Sequence, residues 1–150
     1  LTSTSITPAL ASDNNALTTT EQANLDKALY CMDVLENRPD MQAKAKLKIL
    51  RDDCFAENYI QHSPHVPDGR DALLALFAKR YENHSEMSIS VKRTAAQGDL
   101  VWIHMHFKRS PEDRGRAIIH IFRMENDKMA EHWGDAQSVP ETVKNDNTMF

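Results

Sequence analysis

Three histidines fall on two neighbouring predicted strands, where their side chains can meet. Residues two apart on a strand share a face, so His104 and His106 point to the same side together with Trp102. On the following strand His120 shares a face with Phe122, and it can lie across from His104 or His106 if the strands pair. The spacing therefore predicts three imidazoles that converge on one apolar, aromatic face.

Proton transfer is the chemistry that such a cluster suits best. The ordinary pKa of histidine, about 6.5, leaves both protonation states populated near neutral pH. One histidine on a strand is more often a satisfied polar group or an exposed residue, but three together need hydrogen-bond partners or a ligand. We therefore predict His120, His106 and His104 as candidate catalytic residues.

Other chemistries have weaker support in the sequence. It contains no Gly-x-Ser-x-Gly nucleophile motif, phosphate loop or dinucleotide fingerprint. His104-x-His106 with a distant His120 is similar to the facing imidazoles that hold a transition metal on a β-barrel wall. No carboxylate shares that face unambiguously, however, and the facing of Glu131 and His132 stays open. A metal site is retained as a third alternative, and no cofactor is expected.

Three predicted helices must help to position these residues. Apolar spacing of three and four residues predicts helices over residues 20–38 and 41–55, and prolines mark residues 59–70 as a loop after a short extended piece. Asp68 is expected to cap a third helix that ends near residue 83. The apolar stripe of that helix is expected to contain Leu73, Leu76, Phe77 and Tyr81.

In the C-terminal half the apolar period changes from about 3.6 to 2, which is typical of strands. Tight turns at residues 97–99 and 126–127, with a charged loop at 109–115, separate four antiparallel strands. The predicted fold is α+β, with the helices on one face of a curved, mainly antiparallel sheet. Residues 1–19, rich in Ser and Thr, predict a flexible tail, and residues 20–150 predict one domain.

Composition limits the classes of partner that the protein is expected to bind. The 150 residues carry a net charge of −4 without a Lys/Arg cluster, which argues against nucleic acid, and the longest apolar runs are too short to cross a bilayer. Cys31 and Cys54 fit no metal-binding spacing, and whether they form a disulfide stays open. The compartment also stays open: cytoplasmic or, if the start is a processed signal-peptide site, periplasmic or secreted.

Three stretches carry a family resemblance: Tyr59 to Arg70, Gly98 to His106, and Ile121 onward to Glu141. In this order and spacing the chain resembles the SnoaL-like polyketide cyclases of the NTF2-like superfamily, particularly the branch described as predicted aldol-condensation enzymes. The resemblance implies an NTF2-like cone, in which N-terminal helices pack on the curved sheet and enclose a pocket.

The resemblance also implies a chemistry. Enzymes of this family close a ring by aldol condensation without metal or organic cofactor, using an Asp acid/base assisted by a His. The position of that His matches His106, with His104 as the competing candidate, and the polar group near the pocket mouth matches Gln61 or His62. This chain departs from the family at two positions: where Asp is usual, it has His120 and Gly134.

The replacement of Asp by His120 changes the charge balance of the site. Neutral imidazole becomes cationic when it takes a proton, and a cation beside His104 and His106 meets like-charge repulsion. We expect aldol or enolisation chemistry on a small carbonyl compound, with His120 as base and His106 or His104 orienting the carbonyl. The alternative is a non-catalytic module that binds an apolar or aromatic molecule.

The same reasoning gives candidate ligand and partner surfaces. We expect substrate contacts from Tyr59, Gln61, His62, Trp102, Phe122 and Trp133. The family resemblance implies a homodimer through the outer face of the sheet. If the histidines face the pocket, the candidates for that outer face are Val101, Ile103, Met105 and Phe107.

Overall fold

Three helices lie against the sheet in a computed structural model that describes residues 16–150. The helices are α1 (Thr19–Glu36), α2 (Ala43–Ile49) and α3 (Arg70–Asn83). A π-helical turn at Leu50–Cys54 continues α2. Of the predicted tail, residues 1–15 lie outside the described part of the chain.

Local sequence explains how α1 begins, but the expected start of α3 differs from the structure. The Thr18 hydroxyl accepts from the Glu21 backbone N–H while the Glu21 carboxylate accepts from the Thr18 N–H, a reciprocal cap that satisfies two free donors. The expected cap of α3 by Asp68 is wrong. Gly69 is the N-cap residue, and the Asp68 carboxylate instead accepts from the backbone N–H groups of Gln61 and Gly69.

Five strands form one sheet in the order β1-β5-β4-β3-β2. Four of them, β2 to β5, pair with one another antiparallel, as predicted. The strand β1, which sequence analysis read only as a short extended piece, pairs parallel with β5. The predicted α+β architecture is confirmed. The strands are β1 (Phe55–Gln61), β2 (Ser88–Gln97), β3 (Leu100–Lys108), β4 (Arg116–Glu125) and β5 (Lys128–Ser138).

The two faces of β3 have opposite environments. The face that packs beneath the helices is buried and consists of Val101, Ile103, Met105 and Phe107. The assignment of these four residues to an outer, dimer-forming face is therefore wrong. Trp102, His104 and His106 occupy the outer face instead.

The inner face continues from β3 onto the neighbouring strands. His120 of β4 pairs with Ile103 and Gly134, and Phe122 pairs with His132 of β5. This inner surface and the apolar sides of α1 and α3 form one hydrophobic core. His120 and His132 therefore lie on the helix side of the sheet.

A disulfide ties the first helix to the turn that follows the second. Cys31 of α1 is bonded to Cys54, with Cα atoms 5.6 Å apart, and both residues are fully buried. The bridge connects the two segments that support the start of β1. None of the helices within residues 16–150 has both the length and the apolar character needed to span a bilayer.

Candidate functional site

A small cavity of about 100 Å³ lies between the helices and the inner face of the sheet. We call it the inner cavity. Tyr59, Gln61 and Phe122, all predicted to contact a ligand, line it together with His132. Its remaining walls come from Leu35, Glu36, Phe55, Val66, Leu73, Phe77 and Arg80.

A chain of hydrogen bonds starts at the wall of the inner cavity and ends at His120, which is not itself one of the residues that line it. The Tyr59 hydroxyl accepts from the Gln61 side-chain amide at 3.1 Å, and the amide oxygen of Gln61 lies 2.7 Å from His132 Nδ1. His132 Nε2 is in turn 2.8 Å from His120 Nδ1. The last atom, His120 Nε2, is buried and has no hydrogen-bond partner within residues 16–150.

One backbone group fixes the direction of every bond in this chain. The N–H of Ser63 donates to the Gln61 amide oxygen at 2.9 Å, so that oxygen is an acceptor and His132 Nδ1 must donate to it. With a proton on Nδ1, neutral His132 can only accept at Nε2, and His120 Nδ1 must donate. His120 Nε2 is then left with a free lone pair.

The proton on Tyr59 is free by the same logic. Its oxygen accepts from Gln61, so the O–H is available to a molecule in the cavity. Burial raises the pKa of Tyr59 and keeps the hydroxyl protonated. The chain therefore ends in a proton donor at Tyr59 and a proton acceptor at His120.

Burial also keeps both imidazoles neutral. It lowers the pKa of His120 to about 3, with a further contribution from the neighbouring His132. It lowers the pKa of His132 to about 4, with a smaller contribution from His62. At neutral pH neither ring carries a charge, and the repulsion expected between neighbouring imidazolium ions does not arise in the empty site.

Two features of the sheet bring these residues together. The parallel pairing of β1 with β5 sets Gln61 beside His132. Gly134, opposite His120, leaves room for the His132 ring, because a Cβ at that position would lie 3.0 Å from the ring atoms Cε1 and Nε2. The glycine found where the family tends to have Asp is therefore the residue that admits the histidine pair.

A larger cavity of about 440 Å³ adjoins this site on the same, helix side of the sheet. We call it the outer cavity, although it is not on the outer face of the sheet. It shares Glu36 and Arg80 with the inner cavity. Arg80 Nη1 lies 3.4 Å from one Glu36 oxygen, while the other, Oε2, is buried without a partner in the described structure. Burial raises the pKa of Glu36 to about 7, despite the opposing effect of Arg80.

The predicted convergence of His104 and His106 with His120 is wrong. The pairing of β3 with β4 sets His104 opposite Ile119 and His106 opposite Ala117, on the outer face. His104 Nδ1 lies 3.0 Å from Arg93 Nη1, and His106 Nε2 lies 2.7 Å from the Arg114 carbonyl oxygen. These two histidines are satisfied polar groups.

The outer face also holds three residues that were expected to contact a ligand. Trp102 and Trp133 each pair with Ile121, and His62 stacks on Trp133 with ring centroids 4.8 Å apart. None of the three lines the inner cavity. Phe150 covers part of the same face, stacked on His106 at 4.2 Å.

The alternative of a metal site on the histidine face has no geometric basis. Its three proposed ligands are divided between the two faces of the sheet. In the part of the chain that the structure describes, no group of three or more His, Cys, Asp or Glu side chains could hold a metal ion.

Two residues of the site were missed by sequence analysis. His132 lies on β5, and the sequence does not show which β5 side chains are on the inner face of the sheet. Glu36 falls four residues after Met32 and eight after Ala28, in line with the buried stripe of α1. The position of a carboxyl group on an apolar helix stripe could have indicated that Glu36 is buried.

The comparisons with known proteins identify the family. The SnoaL-like domain matches residues 44–132, more than half of the chain. The chain belongs to the SnoaL-like family. No match was found among curated proteins.

Solved structures confirm the NTF2-like cone. A protein assigned as a SnoaL-like polyketide cyclase from Jannaschia sp. CCS1 is 13% identical with a TM-score of 0.64, over 81% of this chain and 90% of that one. A protein assigned as a ketosteroid isomerase from Kribbella flavida DSM 17836 is 13% identical with a TM-score of 0.60, over 83% and 85%. TsrD from Streptomyces laurentii is 20% identical with a TM-score of 0.56, over 77% and 89%. At these identities the likeness of the SnoaL-like chain to its neighbours concerns the fold alone.

Proposed function

We propose that this SnoaL-like protein binds a small carbonyl compound and moves a proton on the carbon beside the carbonyl group. The observation that carries the proposal is the directed hydrogen-bond chain, which ends in a free donor at Tyr59 and a free acceptor at His120. Enolisation requires such a pair: an acid for the carbonyl oxygen and a base for the carbon. The relatedness of the family to polyketide cyclases and ketosteroid isomerases supports the same class of chemistry.

In the proposed reaction the Tyr59 hydroxyl donates a hydrogen bond to the substrate carbonyl oxygen. His120 Nε2 takes the proton from the adjacent carbon, and the electron pair of the C–H bond moves onto the oxygen as an enolate. Return of the proton to another carbon gives an isomer, and attack of the enolate on a second carbonyl gives an aldol product. His132 acts as a positioning residue, since it holds His120 Nδ1 protonated and Nε2 free.

Access for His120 is supported by its neighbours. Its ring stacks on Phe122 with centroids 5.7 Å apart and lies 5.1 Å from the His132 ring, and both of these rings line the inner cavity. An enolate formed there would stabilise the His120 imidazolium through opposite charge and so raise the pKa of His120 during the reaction.

A second candidate function is binding without turnover. The pKa of about 3 for His120 favours it, because an imidazole so reluctant to take a proton is a weak base. In this alternative the same cavity holds a carbonyl compound through Tyr59, and His120 only accepts a hydrogen bond from it.

Hydrogen–deuterium exchange separates the two functions without knowledge of the natural substrate. The probe is methyl 4-oxopentanoate in D₂O, and the measurement is loss of the NMR signal of the protons beside the ketone. We expect the protein to accelerate exchange and His120→Phe to reduce the acceleration by about 100-fold or more. His104→Gln, on the outer face, is the control that should exchange at the unmodified rate.

The results have distinct meanings. Exchange by His120→Phe at the rate of the unmodified protein would exclude His120 as the base. Binding of the probe without any accelerated exchange would favour the second candidate.

We also propose that the protein forms a homodimer through the outer face of the sheet. The apolar residues available there are Trp102, Ile119, Ile121 and Trp133, which replace the four residues expected from the sequence. Ile119 is 51% exposed, which is unusual for an isoleucine in the middle of a sheet.

A further inference from the structure

The outer cavity carries an excess of positive charge. Four cationic side chains line it, and Glu36 is the one carboxyl group among its described lining residues. The cations come from α3, from β4 and from the loop between β3 and β4. They are Lys79, Arg80, Arg109 and Arg116.

Half of this charge has no ion-pair partner within residues 16–150. Arg109 is paired with Asp113 at 3.1 Å, and Arg80 lies beside Glu36 and over the Phe77 ring. Lys79 and Arg116 make no ion pair with any carboxylate of residues 16–150. Two such cations at one cavity attract an anion to it, and because both side chains are exposed, solvent and salt weaken the attraction.

Glu36 offsets this positive charge only in part. Its raised pKa of about 7 leaves a large neutral fraction near physiological pH. In the neutral form a proton on the unpartnered Oε2 makes this atom a donor, which can hydrogen-bond an anionic oxygen. The wall shared by the two cavities therefore offers donors from both Glu36 and Arg80.

Size indicates how a ligand divides between the two cavities. A cavity of about 150 Å³ accommodates benzene, so the inner cavity of about 100 Å³ can hold the reacting carbonyl group but little more. The outer cavity of about 440 Å³ has room for the rest of the molecule. Glu36 and Arg80 border both spaces, so they stand where such a ligand would pass from one to the other.

We propose that the outer cavity binds the carboxylate of an oxo acid, with Lys79 and Arg116 supplying the attraction and with Arg80 and Glu36 at the junction with the inner cavity. This inference rests on the proposed function, because it names the substrate class of the same site. A planar guanidinium such as Arg116 suits a carboxylate through paired N–H donors.

Calorimetric titration with a matched pair of probes tests the inference. The probes are 4-oxopentanoate and its methyl ester, which differ in charge and carry only a methyl group beyond the ketone. We expect the acid to bind roughly fivefold more tightly than the ester, as the upper end of exposed ion-pair strengths allows. The double variant Lys79→Gln, Arg116→Gln should lose this preference while its affinity for the ester stays the same.

The control is Lys44→Gln, Arg51→Gln, which removes the same two charges from residues outside both cavities. It should keep the preference for the acid. Equal binding of acid and ester by the unmodified protein, or an equal loss in both double variants, would overturn the inference.

The two proposals can fail separately. Selective binding of the acid with no exchange beside the ketone would refute enolisation and leave the anion site standing. Exchange at the same rate and affinity for acid and ester would support enolisation and refute the anion site.

Discussion

At the scale of single residues, the Ser63 backbone N–H determines the protonation pattern of the site. It orients the Gln61 amide, which in turn selects the proton-bearing nitrogens of His132 and His120. Both rings are neutral, so each carries a proton on one nitrogen and a lone pair on the other. A substitution at Gln61 should therefore alter the protonation of both histidines.

The substitution Gln61→Glu tests this dependence. A carboxylate would still accept from Ser63 and His132, but its negative charge would stabilise the His132 imidazolium. We expect the pKa of His132 to rise from about 4 by roughly 1–3, as measured by pH titration of its imidazole C–H signals in NMR. The Tyr59 O–H would also donate a hydrogen bond to the carboxylate and no longer be free for the substrate, so exchange of the carbonyl probe should slow.

The matched control is Gln137→Glu, which adds the same charge at an exposed position of β5. His132 should titrate there as in the unmodified protein. A His132 titration that is the same in all three proteins would contradict the directed chain.

Sequence alone named three of the residues that line the inner cavity. Tyr59, Gln61 and Phe122 were expected near the ligand, and they line the inner cavity. Alternation could state that His104 and His106 share a face, but not which face is inside, because both faces of β3 carry bulky side chains. The burial of Val101 and Ile103 beneath the helices decided that question.

At the scale of elements, the site depends on the junction of β1, β4 and β5. The four antiparallel strands could be predicted because each follows its partner after a short turn. The partner of β1 lies about seventy residues later in the chain, and the only local sign of β1 was a short extended piece. Because the sequence gives no sign of this pairing, the Gln61–His132 contact that depends on it could not be predicted.

Gly134 is the element-level feature that can be tested. Gly134→Ala would place a methyl group 3.0 Å from the His132 ring, which two hydrogen bonds hold in place. We expect the free energy of unfolding to fall by roughly 1–3 kcal/mol, as measured in urea. In a His132→Ala background the same substitution should cost little, since the ring is gone and Ala is less flexible than Gly.

The comparison of the two backgrounds decides the cause. An equal loss of stability with and without the His132 ring would show that the methyl group meets another neighbour, such as the Ile119 carbonyl oxygen at 3.2 Å.

At the scale of the whole molecule, the sheet separates the surface proposed for chemistry from the surface proposed for dimerisation. The cavities and the histidine pair lie on the helix side, and the apolar residues proposed for dimerisation lie on the other. An isologous dimer would place the same outer face of each subunit against its copy. Loss of the dimer should therefore leave the cavities intact.

Ile119→Lys tests this separation, because it puts a charge in the middle of the proposed interface. Light scattering should give twice the chain mass of 17.1 kDa for the unmodified protein and a single chain mass for the variant. Val143→Lys, at a 60% exposed position outside the sheet, should stay dimeric. The monomeric variant should still bind the oxo acid probe, because the binding residues lie on the opposite side of the sheet. A monomeric unmodified protein, or a variant that stays dimeric, would place the interface elsewhere or remove it.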